Sequence, residues 1–177
     1  AFAAAVKIDA FAYLPVQDFG NEFSIFIAQN YGAQNTKRIK AGIRVATIVS
    51  ISFSLVVSLF VFIFAESLMT LFIDAKEVAV IMEGIRYLRI EGAFYFLIGG
   101  LFLLYGLYRA IAKPGMSVVL TVVSLGVRVI LSYILSSISI IGVIGIWWSI
   151  PIGWGVGASV SFLRIKSEKW KDKSLVR

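Results

Sequence analysis

The sequence predicts an all-α integral membrane protein with five transmembrane helices. Hydrophobic residues make up 59% of the 177 residues and charged residues only 15%. Soluble domains usually carry about 25% charged residues, so lipid is the expected solvent for most of this chain. Lysine and arginine also cluster at alternate ends of the apolar segments, as the positive-inside rule requires. This placement argues against nucleic-acid binding despite the net charge of +7.

The residue types that are missing exclude several kinds of chemistry. The chain has no cysteine and no histidine, so disulfides, thiol catalysis and Ser-His-Asp arrangements are excluded in their usual forms. The sequence shows no nucleophile beside a base, no metal-ligand cluster and no phosphate-binding glycine loop. We therefore predict that the protein is not an enzyme and binds no resident metal or cofactor, apart from a transient coupling ion.

The first helix is predicted over residues 6–28 and is the least hydrophobic of the set. Steps of three and four residues return to the same side of a helix. One face so defined consists of Asp18, Asn21, Glu22, Ile25 and Gln29 and is polar except for Ile25. A carboxylate at membrane depth is costly, so this face is expected to line a bundle interior or a wet cavity. The small residues of a second face, where another helix can approach closely, are Ala12, Gly20, Ser24 and Ala28.

The second helix is predicted over residues 43–64 and has no charged residue after Arg44. Its small residues recur at every fourth position and form a packing stripe of Gly42, Ala46, Ser50, Ser54 and Ser58. The basic cluster before it, residues 37–44, is predicted to lie inside. The connection after it, residues 66–83, is poor in positive charge, so we place it outside and expect an amphipathic, partly interfacial segment.

The third helix is predicted over residues 85–108. Steps of three and four place aromatic side chains and one carboxylate on a common face, which consists of Tyr87, Glu91, Tyr95, Ile98, Phe102 and Tyr105. Such a face can line a cavity that holds a lipophilic cation through apolar area and cation–π attraction. It can equally be interhelical packing with the tyrosines near the headgroups. The sequence leaves both interpretations open.

The fourth helix is predicted over residues 116–135 and carries Arg128 on its serine- and threonine-rich face. An arginine at membrane depth is a functional candidate by default, and it can also snorkel outward. We favour a structural pairing with Glu91 or Asp18.

The fifth helix is predicted over residues 143–162, where Pro151 can introduce a kink. Its packing ridge consists of Ser149, Gly153, Gly157 and Ser161. Residues 1–163 are thus predicted to form one transmembrane unit, and residues 164–177 a basic cytoplasmic tail. The charge distribution places the N-terminus of the segment outside and its C-terminus in the cytoplasm.

Several motifs resemble those of one transporter family. Pro15 and Gly20 precede the turn at residues 29–33, Gln-Asn-Tyr-Gly-Ala, and Arg38 follows it. Later motifs are Tyr-Leu-Arg-Ile at residues 87–90, Gly-Leu-Tyr-Arg-Ala at residues 106–110, and the run at residues 145–154 that ends Trp-Trp-Ser-Ile-Pro-Ile-Gly-Trp. Together these motifs resemble the second half of multidrug and toxic compound extrusion (MATE) transporters, and they cover nearly the whole chain.

The resemblance implies twelve helices in two pseudo-symmetric six-helix lobes, of which this chain would supply the last five. It implies export of cationic and amphipathic compounds from a cleft between the lobes, in exchange for H⁺ or Na⁺. The expected partners are the lipid bilayer, the missing N-terminal lobe and small cationic substrates, and the expected location is the inner (plasma) membrane. Because the chain begins without methionine inside a helix, we expect a fragment of a longer gene product.

The resemblance and the polar positions together suggest two sets of residues. Candidates for the substrate and ion pathway are Asp18, Asn21, Glu22, Gln29, Glu91, Tyr95, Tyr105 and Arg128. Structural motif positions are Pro15, Gly20, Asn30, Gly32, Ala33, Arg38, Arg109 and Pro151. Relatives commonly have a small residue in place of Glu22, and some Na⁺-coupled relatives have an aspartate near the position of Ile98. The coupling ion, H⁺ or Na⁺, therefore stays open.

Two other functions are compatible with the sequence. Lipid-intermediate and polysaccharide flippases resemble MATE transporters in fold, and a basic central cavity would favour them. A non-transporting structural membrane subunit that pairs with a separately encoded partner is the other alternative.

Overall fold

The computed structural model describes residues 2–111 and 114–166, and within them the chain forms six helices. These are α1 (Phe2–Gly32), α2 (Thr36–Thr70), α3 (Val78–Gly92), α4 (Tyr95–Ala110), α5 (Pro114–Ser136) and α6 (Val143–Lys166). The all-α prediction is confirmed for this part of the chain. Residues 167–177, most of the predicted basic tail, lie outside the described residues.

Length and composition identify α2, α5 and α6 as candidate membrane spans. A fourth candidate is α3 together with α4, which meet at a bend of 51°. Large apolar side chains such as Val56, Leu59 and Val122 are exposed on α2 and α5, as lipid-facing surfaces require. The first predicted span corresponds to α1, a 31-residue helix that packs along α2 and α4. By its composition α1 is not among the candidate membrane spans. Composition therefore supports four of the five predicted spans.

The third predicted helix, over residues 85–108, is two helices. α3 ends at Gly92, and α4 begins at Tyr95. Between them, Phe94 has φ −117° and ψ 15°, outside α-helical geometry. Glycine has a low helix propensity, which favours a break at Gly92. Its missing side chain also lets α2 approach, because a Cβ at Gly92 would lie 3.2 Å from Cγ1 of Val61.

The connection predicted over residues 66–83 is much shorter in the structure. α2 continues to Thr70 and α3 begins at Val78, so residues 71–77 link them. The last turns of α2 bury Ala65 and Met69 completely, and Met69 packs against Gly84 of α3. The apolar residues that suggested an interfacial segment are a different set: Phe64, Leu71 and Phe72 are exposed, and Leu68 is partly buried.

Side chains of the Gln-Asn-Tyr-Gly-Ala motif and its neighbours close the turn between α1 and α2. Asn30 is buried and donates from Nδ2 to the carbonyl of Phe26 at 2.7 Å. Asn35 caps α2, because its Oδ1 accepts a hydrogen bond from the Arg38 N–H at 3.1 Å. The Arg38 guanidinium lies 5.8 Å from the ring centre of Phe26. The two hydrogen bonds close the ends of α1 and α2, and the contact of Arg38 with Phe26 joins the two helices.

α1 and α4 meet backbone to backbone at Gly20 and Gly106. A Cβ at Gly106 would lie 2.5 Å from the carbonyl oxygen of Gly20. The small-residue face predicted for α1 is confirmed at Ala12, Gly20 and Ser24, which are buried, and is wrong at Ala28, which is exposed. Steps of four residues drift by about 40° each from the 3.6-residue repeat, so the face rotates out of contact along the helix.

The small-residue stripes of the second and fifth predicted helices are confirmed as packing surfaces. In α2 the buried members are Ala46, Ser50, Ser54 and Ser58, with Gly42 partly buried. In α6 all four members, Ser149, Gly153, Gly157 and Ser161, are buried. The Ser124 hydroxyl of α5 donates to the carbonyl of Gly153 at 3.0 Å, and Pro151 lies within the continuous α6.

Replacing Gly106 by alanine should destabilise the protein, because the added methyl group has no space beside the Gly20 carbonyl. We expect an overpacking cost of about 1–3 kcal/mol, seen as a lower melting temperature in detergent. The matched control is Gly126→Ala in α5, whose Cβ would meet no atom within 4 Å. A Gly106→Ala protein as stable as the Gly126→Ala protein would contradict the close contact of α1 with α4.

Candidate functional site

Two acidic side chains lie in the interior of the helix bundle. Asp9 of α1 is 6% exposed, and Glu91, one residue before the end of α3, is 1% exposed. The Tyr87 hydroxyl donates to Asp9 Oδ2 at 3.2 Å, and the Tyr95 hydroxyl donates to Asp9 Oδ1. We refer to these four residues as the carboxyl cluster.

Within the cluster, Asp9 and Glu91 are close enough for each carboxyl group to act electrostatically on the other. The Oε1 atom of Glu91 has no hydrogen-bond partner among the described residues. Ionised carboxylates only accept hydrogen bonds, so two that face each other cannot satisfy one another. Burying both groups in the ionised form would therefore leave at least one of them without enough donors.

The local fold explains how one carboxylate reaches two tyrosines. Tyr87, Glu91 and Tyr95 are spaced by four residues, which places them on one side of the bent span formed by α3 and α4. The Tyr87 ring packs edge-on against Trp147 of α6, with ring centres 5.9 Å apart. It also packs against Phe2 of α1, at 5.6 Å. The donor to Asp9 is thus held in place by two other helices.

Asp9 was not predicted as a site residue from the sequence, although its position on the packing face of α1 pointed to it. Asp9 lies three residues before Ala12 and so belongs to the packing face of α1, not to its polar face. An acid on the packing face of a helix among apolar neighbours requires a buried partner. The tyrosines predicted on the third helix were the available donors.

Arg128 is partly buried and attracts both carboxyl groups of the cluster through Coulomb interaction. The pairing predicted with Glu91 or Asp18 does not form, since the one ion pair among the described residues joins Arg86 to Glu83 at 3.4 Å. The reason is the position of α5, which packs chiefly against α6. Arg128 is therefore held away from α1 and α3.

The polar face predicted for α1 lies at the surface of the described bundle. Its members Asp18, Asn21, Glu22 and Gln29 are all exposed. Asn21 Oδ1 accepts a hydrogen bond from Arg109 Nη2 at 2.8 Å. The described helices therefore leave two carboxylates, one helical turn apart, uncovered on α1.

A groove of about 240 Å³ adjoins this face where α1, α4 and α5 meet. We call it the polar groove, and its lining residues are Gln17, Asn21, Phe102, Tyr105, Arg109, Ser117 and Thr121. The aromatic face predicted for the third helix is consequently divided by the bend. Its first half, including Tyr95, is packed inside the bundle, whereas Phe102 and Tyr105 line a cavity.

The structural motif positions differ in their burial. Gly20, Asn30 and Pro151 are buried, whereas Pro15, Gly32, Ala33, Arg38 and Arg109 are exposed. The exposed positions lie around the turn between α1 and α2, at the polar groove, or, for Pro15, at a groove between α1 and α2.

The described helices thus form an apolar bundle with two internal acids and a polar groove, the architecture of a membrane protein. The family model for MatE matches residues 1–134. The chain therefore belongs to the MATE family of multi-pass membrane transporters.

Named relatives agree with this assignment. The chain is 25% identical over 181 residues to the probable multidrug resistance protein YoeA of Bacillus subtilis (strain 168), with 100% of this chain and 38% of YoeA covered. An outward-facing multidrug resistance MATE family transporter superposes with a TM-score of 0.88 at 23% identity, covering 97% of this chain and 39% of that one. An inward-facing multidrug resistance MATE family transporter superposes with a TM-score of 0.86 at 25% identity, covering 98% of this chain and 40% of that one. The chain thus spans about two fifths of the length of these proteins.

Replacing Tyr95 by phenylalanine should lower the melting temperature of the purified protein. The change removes one of the donors to the buried carboxylate of Asp9, at a cost of about 1–3 kcal/mol. Tyr105→Phe is the control, because the Tyr105 hydroxyl has no hydrogen-bond partner in the described part of the chain. Equal melting temperatures for the two variants would argue against the Tyr95 to Asp9 hydrogen bond.

Proposed function

We propose that the chain forms most of the second lobe of a multidrug antiporter in the plasma (inner) membrane. The antiporter exports cationic and amphipathic compounds in exchange for H⁺ or Na⁺. In this proposal the N-terminal end of the segment lies outside and its C-terminal end in the cytoplasm. The observation that carries the proposal is the uncovered polar face of α1.

The uncovered acids support a cationic substrate. Asp18 and Glu22 lie on a helix that packs along the membrane spans α2 and α4, and no described helix covers them. Ionised groups at membrane depth face a bundle interior or a water-filled cavity, because contact with lipid is costly. A second lobe opposite this face would create such a cavity. Two carboxylates in its wall would attract an organic cation, and the nearby Phe102 and Tyr105 would supply apolar and cation–π contacts.

The comparisons support a lobe that moves as one body. The chain superposes about equally well on the outward-facing and inward-facing structures, with TM-scores of 0.88 and 0.86. Alternating access then consists of rocking this lobe against the first one around a central site. Ion and substrate are coupled when each changes the affinity of the protein for the other.

A lipid-intermediate or polysaccharide flippase is the second candidate, and Arg109 is the observation that favours it. This arginine lines the polar groove together with uncharged side chains. A fixed cation there would bind the phosphate of a lipid headgroup. Asp18 and Glu22, which are exposed on the same helix as the groove residues Gln17 and Asn21, disfavour an anion, so we rank the drug antiporter first.

The proposal predicts that the double change Asp18→Asn and Glu22→Gln strongly reduces export of ethidium. The test uses efflux-deficient cells that express the full gene product containing this chain. A charge-assisted contact contributes about 1.5–3 kcal/mol, so we expect a loss of roughly ten- to a hundredfold in apparent affinity. Glu66→Gln, which removes an exposed acid at the far end of α2, should leave export unchanged.

Normal ethidium export by the double variant would contradict the role of the acidic pair. Loss of export in Arg109→Gln, together with translocation of a phosphate-bearing lipid by the unmodified protein in vesicles, would favour the flippase. If the unmodified protein moves neither compound, both transport functions fail.

A further inference from the structure

We propose that Arg89 of α3 binds the phosphate of an anionic phospholipid on the lipid-facing surface that α2 and α3 form together. This site lies on a different side of α3 from the carboxyl cluster and is independent of the proposed transport function. Tyr87 and Leu88 are buried, whereas the next residue, Arg89, is exposed. The Tyr-Leu-Arg-Ile run at residues 87–90 thus presents its arginine outside the bundle.

An aromatic ring of the neighbouring helix holds the Arg89 guanidinium in place. The Cζ atom of Arg89 lies 5.5 Å from the ring centre of Phe62 in α2, within the range of a cation–π contact. Phe62 is itself 46% exposed, and Leu55 and Leu59 on the same side of α2 are exposed as well. The cation is therefore held against an apolar surface of the kind that faces lipid.

The charge of Arg89 has no acidic partner within the described residues. The ion pair found there joins Arg86, three residues earlier, to Glu83 at 3.4 Å. Within residues 2–111 and 114–166 the Arg89 guanidinium neither forms an ion pair nor donates a hydrogen bond. A guanidinium carries five N–H donors in a fork that matches two oxygens of a phosphate group. An unpaired arginine at an apolar surface is therefore suited to an anion that comes from outside these helices.

The depth of the site matches the position of lipid phosphates. Residues 45–65 of α2 include no charged residue, and at about 1.5 Å per residue this stretch is about 31 Å long. The hydrocarbon core of a bilayer is about 30 Å thick. Glu66 follows the stretch, and Phe62 lies about one helical turn before it. Arg89, which contacts Phe62, is therefore near the boundary of the hydrocarbon, and its long side chain can reach the headgroup layer.

The unpaired charge favours an anionic lipid over a zwitterionic one. A zwitterionic headgroup already carries a cation beside its phosphate, whereas the headgroup of phosphatidylglycerol carries none. One phosphatidylglycerol molecule therefore balances the charge of Arg89 through a charge-assisted contact. Its acyl chains would lie along Leu55, Leu59 and Phe62, which are exposed on α2. Headgroup and acyl chains then both have a partner on the protein.

Native mass spectrometry of the full gene product containing this chain counts the lipid molecules that it retains. The purified protein is stripped of lipid in detergent and titrated with phosphatidylglycerol. Arg89→Gln should weaken the binding of one phosphatidylglycerol molecule roughly tenfold, the loss expected for one charge-assisted hydrogen bond. The matched control is Arg86→Gln, which removes an exposed arginine of the same helix that is already paired with Glu83. Equal binding by the two variants would overturn the proposal.

Other ligands test which parts of the lipid are recognised. Phosphatidylcholine with the same acyl chains should bind more weakly than phosphatidylglycerol, and equal binding would overturn the assignment to an anionic headgroup. Diacylglycerol retained as well as phosphatidylglycerol would show that the acyl chains alone are bound. Inorganic phosphate that displaces phosphatidylglycerol at equal concentration would show that free phosphate, not a lipid, is the ligand. Either of these results would contradict the proposal.

A second variant separates lipid binding from a structural role. Arg89 lies in the last turn of α3, where a positive charge also stabilises the end of a helix. Arg89→Lys keeps this charge but lacks the guanidinium fork, so it should keep the melting temperature in detergent and retain less phosphatidylglycerol. Undiminished lipid binding in Arg89→Lys, or a lower melting temperature of Arg89→Gln with unchanged lipid binding, would refute phosphate recognition. None of these measurements involves transport, so they decide the lipid site even if the proposed function fails.

Discussion

A polar group among membrane helices has to find its partners within the protein, because lipid offers none. This constraint explains the arrangement of α1, α3 and α4 around Asp9. The carboxylate requires donors, and Tyr87 and Tyr95 supply them from two helices that meet at a bend. The close contact of Gly20 with Gly106 brings α1 near enough to α4 for this to happen. Packing by small residues and hydrogen bonding by large ones thus serve the same interface.

α1 is unusual in carrying acids on two sides. Asp9 lies on the side that packs against the bundle, whereas Asp18 and Glu22 lie on the side that the described helices leave open. The inner acid is held by two fixed donors, Tyr87 and Tyr95. The outer acids have room for a larger and more variable ligand. One helix thus connects a closed site to an open one.

Much of this architecture could be predicted from the sequence, because spacing by four and charge placement follow from helix geometry and from the cost of burial. The stripe at Ser50, Ser54 and Ser58 and the polar face of α1 were found in this way. The bend after Gly92 was not, since it depends on how Val61 of α2 packs against that turn. Such a contact between helices does not produce a repeating pattern of residues in the sequence.

The carboxyl cluster was missed for a related reason. Glu91 was selected because it shares a helix face with aromatic side chains, but its neighbour Asp9 lies near the beginning of the least hydrophobic segment and was not selected. Periodicity shows which residues share a face of one helix. It does not show which faces of different helices meet, and the cluster exists only where three helices do.

The polarity of α1 has a consequence for how the protein is made. An ionised aspartate such as Asp9 disfavours insertion of a helix on its own, because lipid offers it no partner, and α1 is not among the helices whose composition qualifies them as candidate membrane spans. Its entry into the bilayer should therefore wait for the tyrosines of α3 and α4, which are synthesised later. Biogenesis would then be cooperative, because α1 is synthesised first but becomes stably inserted only after α3 and α4.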